Sequence, residues 1–354
     1  VFSATSSQGL LHAMEMLYTV AGWRAPFVLV NVSRGLSAPI TLEADHNDVL
    51  AARDCGFLQI HCCDCQEVVD GVLLAYRLAE DAAVRLPVMV NLDGFDLSFT
   101  REPVDRPPPA AVAEFLPPFD PGSLRFAASA PESQAVAVLG GGPYSYFRYE
   151  THLAAQHALA AYDQAAGEFE ARFGRERGAV EAYHTEDAEI VFFMMGSFAT
   201  KARDAVDRLR EAGQRVGLLR PRLLRPYPSR CIADALAGAR GVAVVDQNLS
   251  MGQGGVLYTE LCAALYGLQS AAGKDAPVVT SFIGGLGGRE IAPEEFFQMV
   301  HVTREAIDEG EAPPPRLLYT ETELREIRKL QSVALAEREE TSRGSGLDRG
   351  QTDE

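Results

Sequence analysis

At 354 residues with a net charge of −17, the chain lacks the basic stripe that a nucleic-acid surface needs, and its 47% hydrophobic content is that of an ordinary globular protein. No apolar run reaches the length of a bilayer span, and the first residues show no basic-then-apolar leader. A cytoplasmic protein without membrane or nucleic-acid partners is expected, long enough for two domains with cores of their own.

In chain order, the apolar spacing predicts a helix over 10–20, a strand over 27–32, a short helix over 49–55, a strand over 57–63, a helix over 66–79 and a strand over 86–93. This βα alternation implies a parallel sheet covered by helices, in a first domain over 1–107. Residues 108–143 are rich in proline and glycine and lack periodicity, so they read as an extended connector. An alanine-rich stretch without interior proline predicts a long helix over 144–173. Strands over 189–195, 216–219, 241–246 and 278–283 then alternate with helices over 199–212, 229–236 and 256–266, giving a second domain over 144–310. Residues 311–336 form a C-terminal segment, and the polar, charged residues 337–354 are expected to be disordered. The expected fold class is α/β, with two doubly wound domains.

One arginine stands out by position. The buried-strand pattern Val28-Leu-Val-Asn31-Val-Ser ends at Arg34, followed by Gly, Ser and Pro. Ligands of open α/β sheets bind outside the carboxyl ends of strands, and a guanidinium grips a carboxylate through two parallel hydrogen bonds. Only 3 of the 32 basic residues are lysine, so an arginine alone means little, and a surface or salt-bridge role stays open for Arg34. Downstream, Asp45-His46-Asn47-Asp48 offers a titrating imidazole, but Asp48 before an apolar-periodic segment reads better as a helix cap.

Three of the six cysteines crowd into His61-Cys62-Cys63-Asp-Cys65. Metal sites use spaced pairs of cysteines, and Cys55, Cys231 and Cys262 supply no second pair, so free thiols and no metal ligands are expected. Gly252-Gln-Gly254-Gly255 and Gly284-Gly-Leu-Gly287-Gly288 precede helices, where free N–H groups bind anions. Neither fits the dinucleotide fingerprint, and both read as tight strand-to-helix turns.

An ordered series of motifs resembles the alpha subunit of the pyruvate:ferredoxin oxidoreductases, thiamine-dependent enzymes acting on 2-oxoacids. It comprises Thr5-Ser-Ser-Gln8-Gly, Asn31-Val-Ser-Arg34-Gly-Leu-Ser-Ala-Pro39-Ile, Asp45-His-Asn-Asp48, Arg53-Asp-Cys-Gly56-Phe, Gln66-Glu67 and Leu86-Pro-Val-Met-Val-Asn-Leu-Asp93-Gly-Phe95. It continues through Glu114-Phe-Leu-Pro-Pro118, Phe147-Arg-Tyr149, Phe173-Gly-Arg175, Leu224-Arg-Pro226 and Ser281-Phe-Ile-Gly-Gly-Leu-Gly-Gly288. The resemblance implies a partial pyrimidine-binding type domain followed by a transketolase carboxyl-terminal type domain.

It further implies oxidative decarboxylation of a 2-oxoacid to acyl-CoA, CO2 and reduced ferredoxin, with thiamine diphosphate, Mg2+ and coenzyme A. Arg34 takes the position of the substrate-carboxylate arginine, with Ser7, Gln8 and Asn31 as neighbours of the cofactor site. The implied partners are a beta subunit carrying the diphosphate-binding domain, gamma and iron-sulfur (delta) subunits or domains, and ferredoxin or flavodoxin. The family's thiamine-activating glutamate and a substrate-contacting threonine lie upstream of Thr5. No catalytic residue is therefore assigned in this chain, which is expected to begin inside its first domain and to act only in a complex. The Ser37-Ala-Pro39-Ile40 loop resembles the pyruvate type, with other 2-oxoacids and oxalate as alternatives. A non-catalytic scaffold or assembly subunit is the other functional class.

Overall fold

The computed structural model describes residues 1–122, 127–272 and 276–345, without the side chains of 268–272 and 339–345. The chain divides into two compact units, Val1–Arg316 and Leu317–Glu354. The first opens with β1 (Phe2–Thr5), α1 (Gln8–His12), α2 (Met14–Gly22), β2 (Val28–Ser33), α3 (Asn47–Ala51), β3 (Leu58–His61), α4 (Cys65–Ala79) and β4 (Val88–Asp93). It continues with α5 (Pro109–Phe115), α6 (Gly141–Phe173), β5 (Val180–Tyr183), β6 (Ile190–Phe193), α7 (Phe198–Glu211), β7 (Val216–Pro221) and β8 (Leu223–Arg225). The series closes with α8 (Ser229–Ala235), β9 (Gly241–Asp246), α9 (Val256–Ala272), β10 (Val278–Ile283) and α10 (Pro293–Glu309).

One sheet has the order β1-β2-β4-β3-β8, parallel except for β8. Alternation along its strands sends Val28, Val30, Val88 and Val90 toward α4 and α6, while Leu29 and Met89 join a core shared with Val191, Phe193, Val242 and Val244 of the other sheet. Strands β2, β3 and β4 are buried on both faces, which is why they read as mainly apolar stretches. The other sheet runs β10-β9-β6-β7-β5, with β5 antiparallel. The chain leaves β6 for β7 on one side and returns to β9 on the other, so the strand order reverses between β6 and β9.

Several elements depart from the sequence reading. Two helices, α1 and α2, meet at Ala13 where one was expected. The stretch expected to be an extended connector begins with α5, started by Pro109 in its first turn and anchored by Phe115, whose ring meets Phe169 and Phe173 edge-on. Strand β8 leaves its neighbour β7 to pair with β3 across the boundary between the expected domains.

In the second unit, α11 (Glu321–Ser345) overturns the disorder expected from residue 337 as far as Ser345; 346–354 lie outside the described residues. Its amino end is a capping box: Thr320 Oγ1 accepts from Glu323 N (3.2 Å), and Glu323 Oε2 from Thr320 N (2.7 Å). The Ala, Leu, Glu and Arg residues that follow are strong helix formers, so polarity alone was a poor sign of disorder.

Buried charges tie the two sheets together. Arg220, fully buried on β7, donates to Glu67 Oε1 of α4 (2.6 Å), to Glu181 Oε2 of β5 and to the His61 carbonyl (3.3 Å). Arg222 reaches the same two carboxylates at 3.1 and 3.2 Å, and Glu67 Oε2 accepts from Cys63 N (3.0 Å). Burial opposes ionisation of Glu67, but the two guanidinium groups hold it well below the usual carboxylate range. Glu67→Gln leaves two buried arginines short of charge, so a loss of about 3–5 kcal/mol of stability is expected in chemical denaturation.

A second buried contact closes the carboxyl ends. His46 Nε2 lies 2.7 Å from Asp93 Oδ1, and Asp93 Oδ2 accepts from both the amide and the hydroxyl of Ser197 at 2.7 Å, just past β6. His46 N donates to the Gln247 carbonyl, just past β9 (2.9 Å). This loop of the first sheet thus occupies the crevice where the second sheet reverses direction. Burial works against charge on His46, yet Asp93 raises its pKa above the ordinary value near 6.5; burial likewise opposes ionisation of Asp93, but His46 and Ser197 lower its pKa below 3.8. The Asp93 contribution is complete above pH 3.8 and fades as pH falls through its lowered value. The His46 contribution is complete below pH 6.5 and fades as pH rises through its raised value. The stability difference between the native chain and His46→Gln should therefore be largest between those limits and shrink on the alkaline side, as denaturation curves from pH 5 to 9 would register.

Candidate functional site

The mouth of the first sheet is organised by a carboxylate that the sequence reading placed elsewhere. Asp48 does not cap a helix from outside: it lies within α3, fully buried, and α3 has no side-chain cap. Its Oδ2 accepts from Ser7 N (3.1 Å) and Asn31 Nδ2 (3.2 Å), while its Oδ1 accepts from Val49 N (2.6 Å) and from the Ser33 hydroxyl. Burial raises its pKa, opposed by the bonds from Ser33, Asn31 and Val49. Asp45 makes the local turn, accepting from Asn47 N and Nδ2 at 2.8 and 2.6 Å.

These bonds fix the surroundings of Arg34. Ser7 has φ +46°, a backbone conformation rare for a side-chain-bearing residue, and is held by Asp48 through its amide and by the Gly35 carbonyl through its hydroxyl (3.0 Å). The strained turn between β1 and α1 brings Ser6 and Gln8 to the guanidinium. Arg34 Nε donates to Ser6 Oγ at 2.8 Å and Nη2 to Gln8 Oε1 at 3.3 Å. Among the described residues no carboxylate comes within 4.0 Å of it, in a chain where many arginines are paired. Arg34 is half-buried, and its hydrogen bonds among the described residues go to neutral acceptors.

The residues expected around the site, Ser7, Gln8, Asn31 and Arg34, are thus brought together, though Ser7 and Asn31 act as framework. Asn31 donates to Asn91 Oδ1 (2.8 Å) besides Asp48. A signal for this framework was present in the sequence: β2 and β4 carry Asn at the same position and Ser33 or Asp93 two residues later. The register pairs Asn31 with Asn91 and Ser33 with Asp93. His46 bonds Asp93 rather than Arg34, and neighbouring His61 is driven down to about 3, chiefly by burial, so it is neutral.

The other candidates are spoken for by the chain itself. Cys62 and Cys63 are free, buried thiols; burial raises both, Cys63 to about 12. Cys63, Glu67 and Glu181 sit close enough to share a cation, but both carboxylates already hold Arg220 and Arg222. At the amino end of α9 the amides of Val256, Leu257 and Tyr258 donate to Asn248 Oδ1 (3.1 Å), Asp246 Oδ1 (2.7 Å) and Asp246 Oδ2 (3.2 Å). A Cβ on Gly255 would fall 1.8 Å from Asp246 Oδ2, which accounts for glycine there. With these donors used internally, Gly252-Gln-Gly254-Gly255 is a turn and not an anion cradle.

Asp48→Asn replaces one of two fully used acceptor oxygens by a donor. A loss on the order of 3 kcal/mol in unfolding free energy is expected in chemical denaturation, since the Ser6 and Gln8 turn loses its anchor.

A family model described as "Pyruvate flavodoxin/ferredoxin oxidoreductase, thiamine diP-bdg" matches residues 1–168, and "Pyruvate:ferredoxin oxidoreductase core domain II" matches 188–296. Pyruvate synthase subunit PorA of Methanothermobacter thermautotrophicus is 42% identical over 304 residues, 86% of this chain and 76% of the relative. PorA of Pyrococcus abyssi is 36% identical over 89% and 78%. Ketoisovalerate oxidoreductase subunit VorA of Pyrococcus horikoshii is 37% identical over 88% and 77%. A solved 2-oxoglutarate:ferredoxin oxidoreductase from Magnetococcus marinus, with 2-oxoglutarate, coenzyme A and succinyl-CoA bound, shares the fold at TM-score 0.54 and 18% identity. That match covers 86% of this chain and 53% of the solved one, so the chain spans about half its length. The chain belongs to the pyruvate:ferredoxin oxidoreductase family, as an alpha-type subunit of the 2-oxoacid:ferredoxin oxidoreductases.

Proposed function

We propose that this chain is the subunit that holds the substrate carboxylate in a thiamine diphosphate-dependent pyruvate:ferredoxin oxidoreductase, which converts the 2-oxoacid and coenzyme A to acyl-CoA, CO2 and reduced ferredoxin. The observation that carries the reading is Arg34, a half-buried guanidinium at a strand mouth whose hydrogen bonds go to Ser6 and Gln8 and to no carboxylate among the described residues. Pyruvate is the favoured 2-oxoacid, in keeping with the Ser37-Ala-Pro39-Ile40 loop and with the PorA relatives.

The donor set fits a carboxylate and does not fit a diphosphate with its metal. Asp48, Asp93 and Asp246 are buried and consumed by internal bonds, as are the amides at the amino end of α9. In the proposed division of labour the diphosphate and Mg2+ fall to a beta-type partner subunit, and iron-sulfur clusters to further subunits, in a complex working in the cytoplasm. In that division of labour the cofactor supplies the chemistry that cleaves the bond to the carboxylate. This chain's residues orient the 2-oxoacid by its charged end and exclude water from one side of it.

Arg34→Ala in the assembled complex is expected to raise KM for the 2-oxoacid by about ten- to hundred-fold, the range for a lost charge pair that keeps some solvent contact. Thiamine affinity should stay near the native value. Arg34→Lys should recover only part of the loss, because an ammonium lacks the planar fork. Viologen reduction against 2-oxoacid concentration checks this, and unchanged kinetics in Arg34→Ala would sink the assignment.

A further inference from the structure

Beside Arg34 lies a buried polar atom that the fold leaves without a partner. Gln8 Nε2 is shielded from solvent and donates to nothing among the described residues, while Oε1 of the same amide accepts from Arg34 Nη2 at 3.3 Å. A buried amide NH2 without an acceptor costs on the order of 1–3 kcal/mol, and such groups in native proteins call for a reason. The backbone leading to it is costly too, since Ser7 is held at φ +46° by Asp48 and Gly35 immediately before Gln8. An unpartnered buried donor on Gln8 and a strained backbone at adjacent Ser7, beside an arginine with no carboxylate within 4.0 Å among the described residues, mark a site completed by a ligand's acceptor atom.

We propose that Gln8 is a second donor to the substrate: its Nε2 hydrogen-bonds the carboxylate of the 2-oxoacid alongside Arg34, making the pair a mixed charged and neutral clamp. The bond the amide already makes assigns Oε1 as the acceptor from the guanidinium and leaves the NH2 as the donor without a partner among the described residues. An anion with two acceptor oxygens matches what the clamp offers, one cationic fork and one amide donor. Ser6 has a different task, as its hydroxyl accepts from Arg34 Nε at 2.8 Å and so orients the arginine. The inference rests on the assignment of Arg34 as the carboxylate residue and adds to it a neutral partner that sets where the carboxylate lies.

The test is a pair of variants in two backgrounds, read by equilibrium binding of pyruvate to the assembled complex and by steady-state kinetics. Gln8→Met removes donor and acceptor while keeping length, and Ser6→Ala removes only the arginine anchor. The expected result is that Gln8→Met weakens pyruvate binding about ten-fold or more, the range for a hydrogen bond to a charged group. Ser6→Ala should weaken it less, and KM for coenzyme A should not change. In an Arg34→Ala background Gln8→Met should still weaken binding several-fold, since a group touching the carboxylate keeps its effect when its neighbour is gone. A Gln8→Met effect that vanishes in that background, or is matched by Ser6→Ala, would overturn direct donation and leave Gln8 as a support for Arg34. If Gln8→Met fails to assemble, Gln8→Leu and Gln8→Glu provide the same reading, the latter expected to be the weakest binder because it sets a negative charge against the carboxylate. An Arg34→Ala complex that binds pyruvate normally would instead refute the assignment of the arginine itself, a result separable from any Gln8 outcome.

Discussion

The site depends on one buried carboxylate. Asp48 satisfies its own helix through Val49, the turn after β1 through Ser7, and strand β2 through Asn31 and Ser33. Three segments far apart in sequence are thereby fixed to a single pair of oxygens. A charge in that position would be ruinous if left unpaired, but four donors make it a rigid junction, and the strained Ser7 backbone persists because the junction over-determines it. Everything that touches Arg34 hangs from this point: the arginine follows Ser33 directly, and its two acceptors flank Ser7.

The same economy appears at the seam between the sheets. Parallel strands end in unpaired carbonyl and amide groups, and here the ends of two sheets face one another within a single compact unit. The chain fills the gap with Asp93, His46 and Ser197 on one line and with Glu67, Glu181, Arg220 and Arg222 on another. Buried ion pairs of this kind add little net stability over apolar packing, but their geometry is exacting. They fix how β2 and β4 are presented, and so where Arg34 opens.

Much of the fold was legible because the central strands of both sheets are covered on both faces. Strands such as Val88–Asp93 and Gly241–Asp246 therefore appear as mainly apolar stretches without alternation. Elements of other character were not legible. Strand β1 is largely exposed, β5 is only partly buried, and β8 is three residues that change sheets. In the candidate site, Arg34 was singled out by its place after a strand, and Gln8 and Asn31 by the resemblance, and the structure sets them near one another. The role of Asp48 was not legible, since a carboxylate before an apolar-periodic stretch looks like a helix cap until Ser7 is seen to come back across 41 residues. The contact of Asp93 with Ser197 spans 104 residues and leaves no local trace.

The chemistry explains why such a framework surrounds a single arginine. A cation paired tightly with the carboxylate stabilises the bound 2-oxoacid more than the transition state, in which that charge is being dispersed into departing CO2. Strong pairing alone would therefore lower KM and slow the reaction. In the role proposed for Arg34 the useful task is orientation, keeping the scissile bond in one direction while its charge is partly screened by solvent. A half-buried guanidinium braced by neutral side chains meets that requirement. A neutral amide beside it adds direction with little added charge, and the rigidity on which direction depends comes from Asp48, out of reach of the substrate.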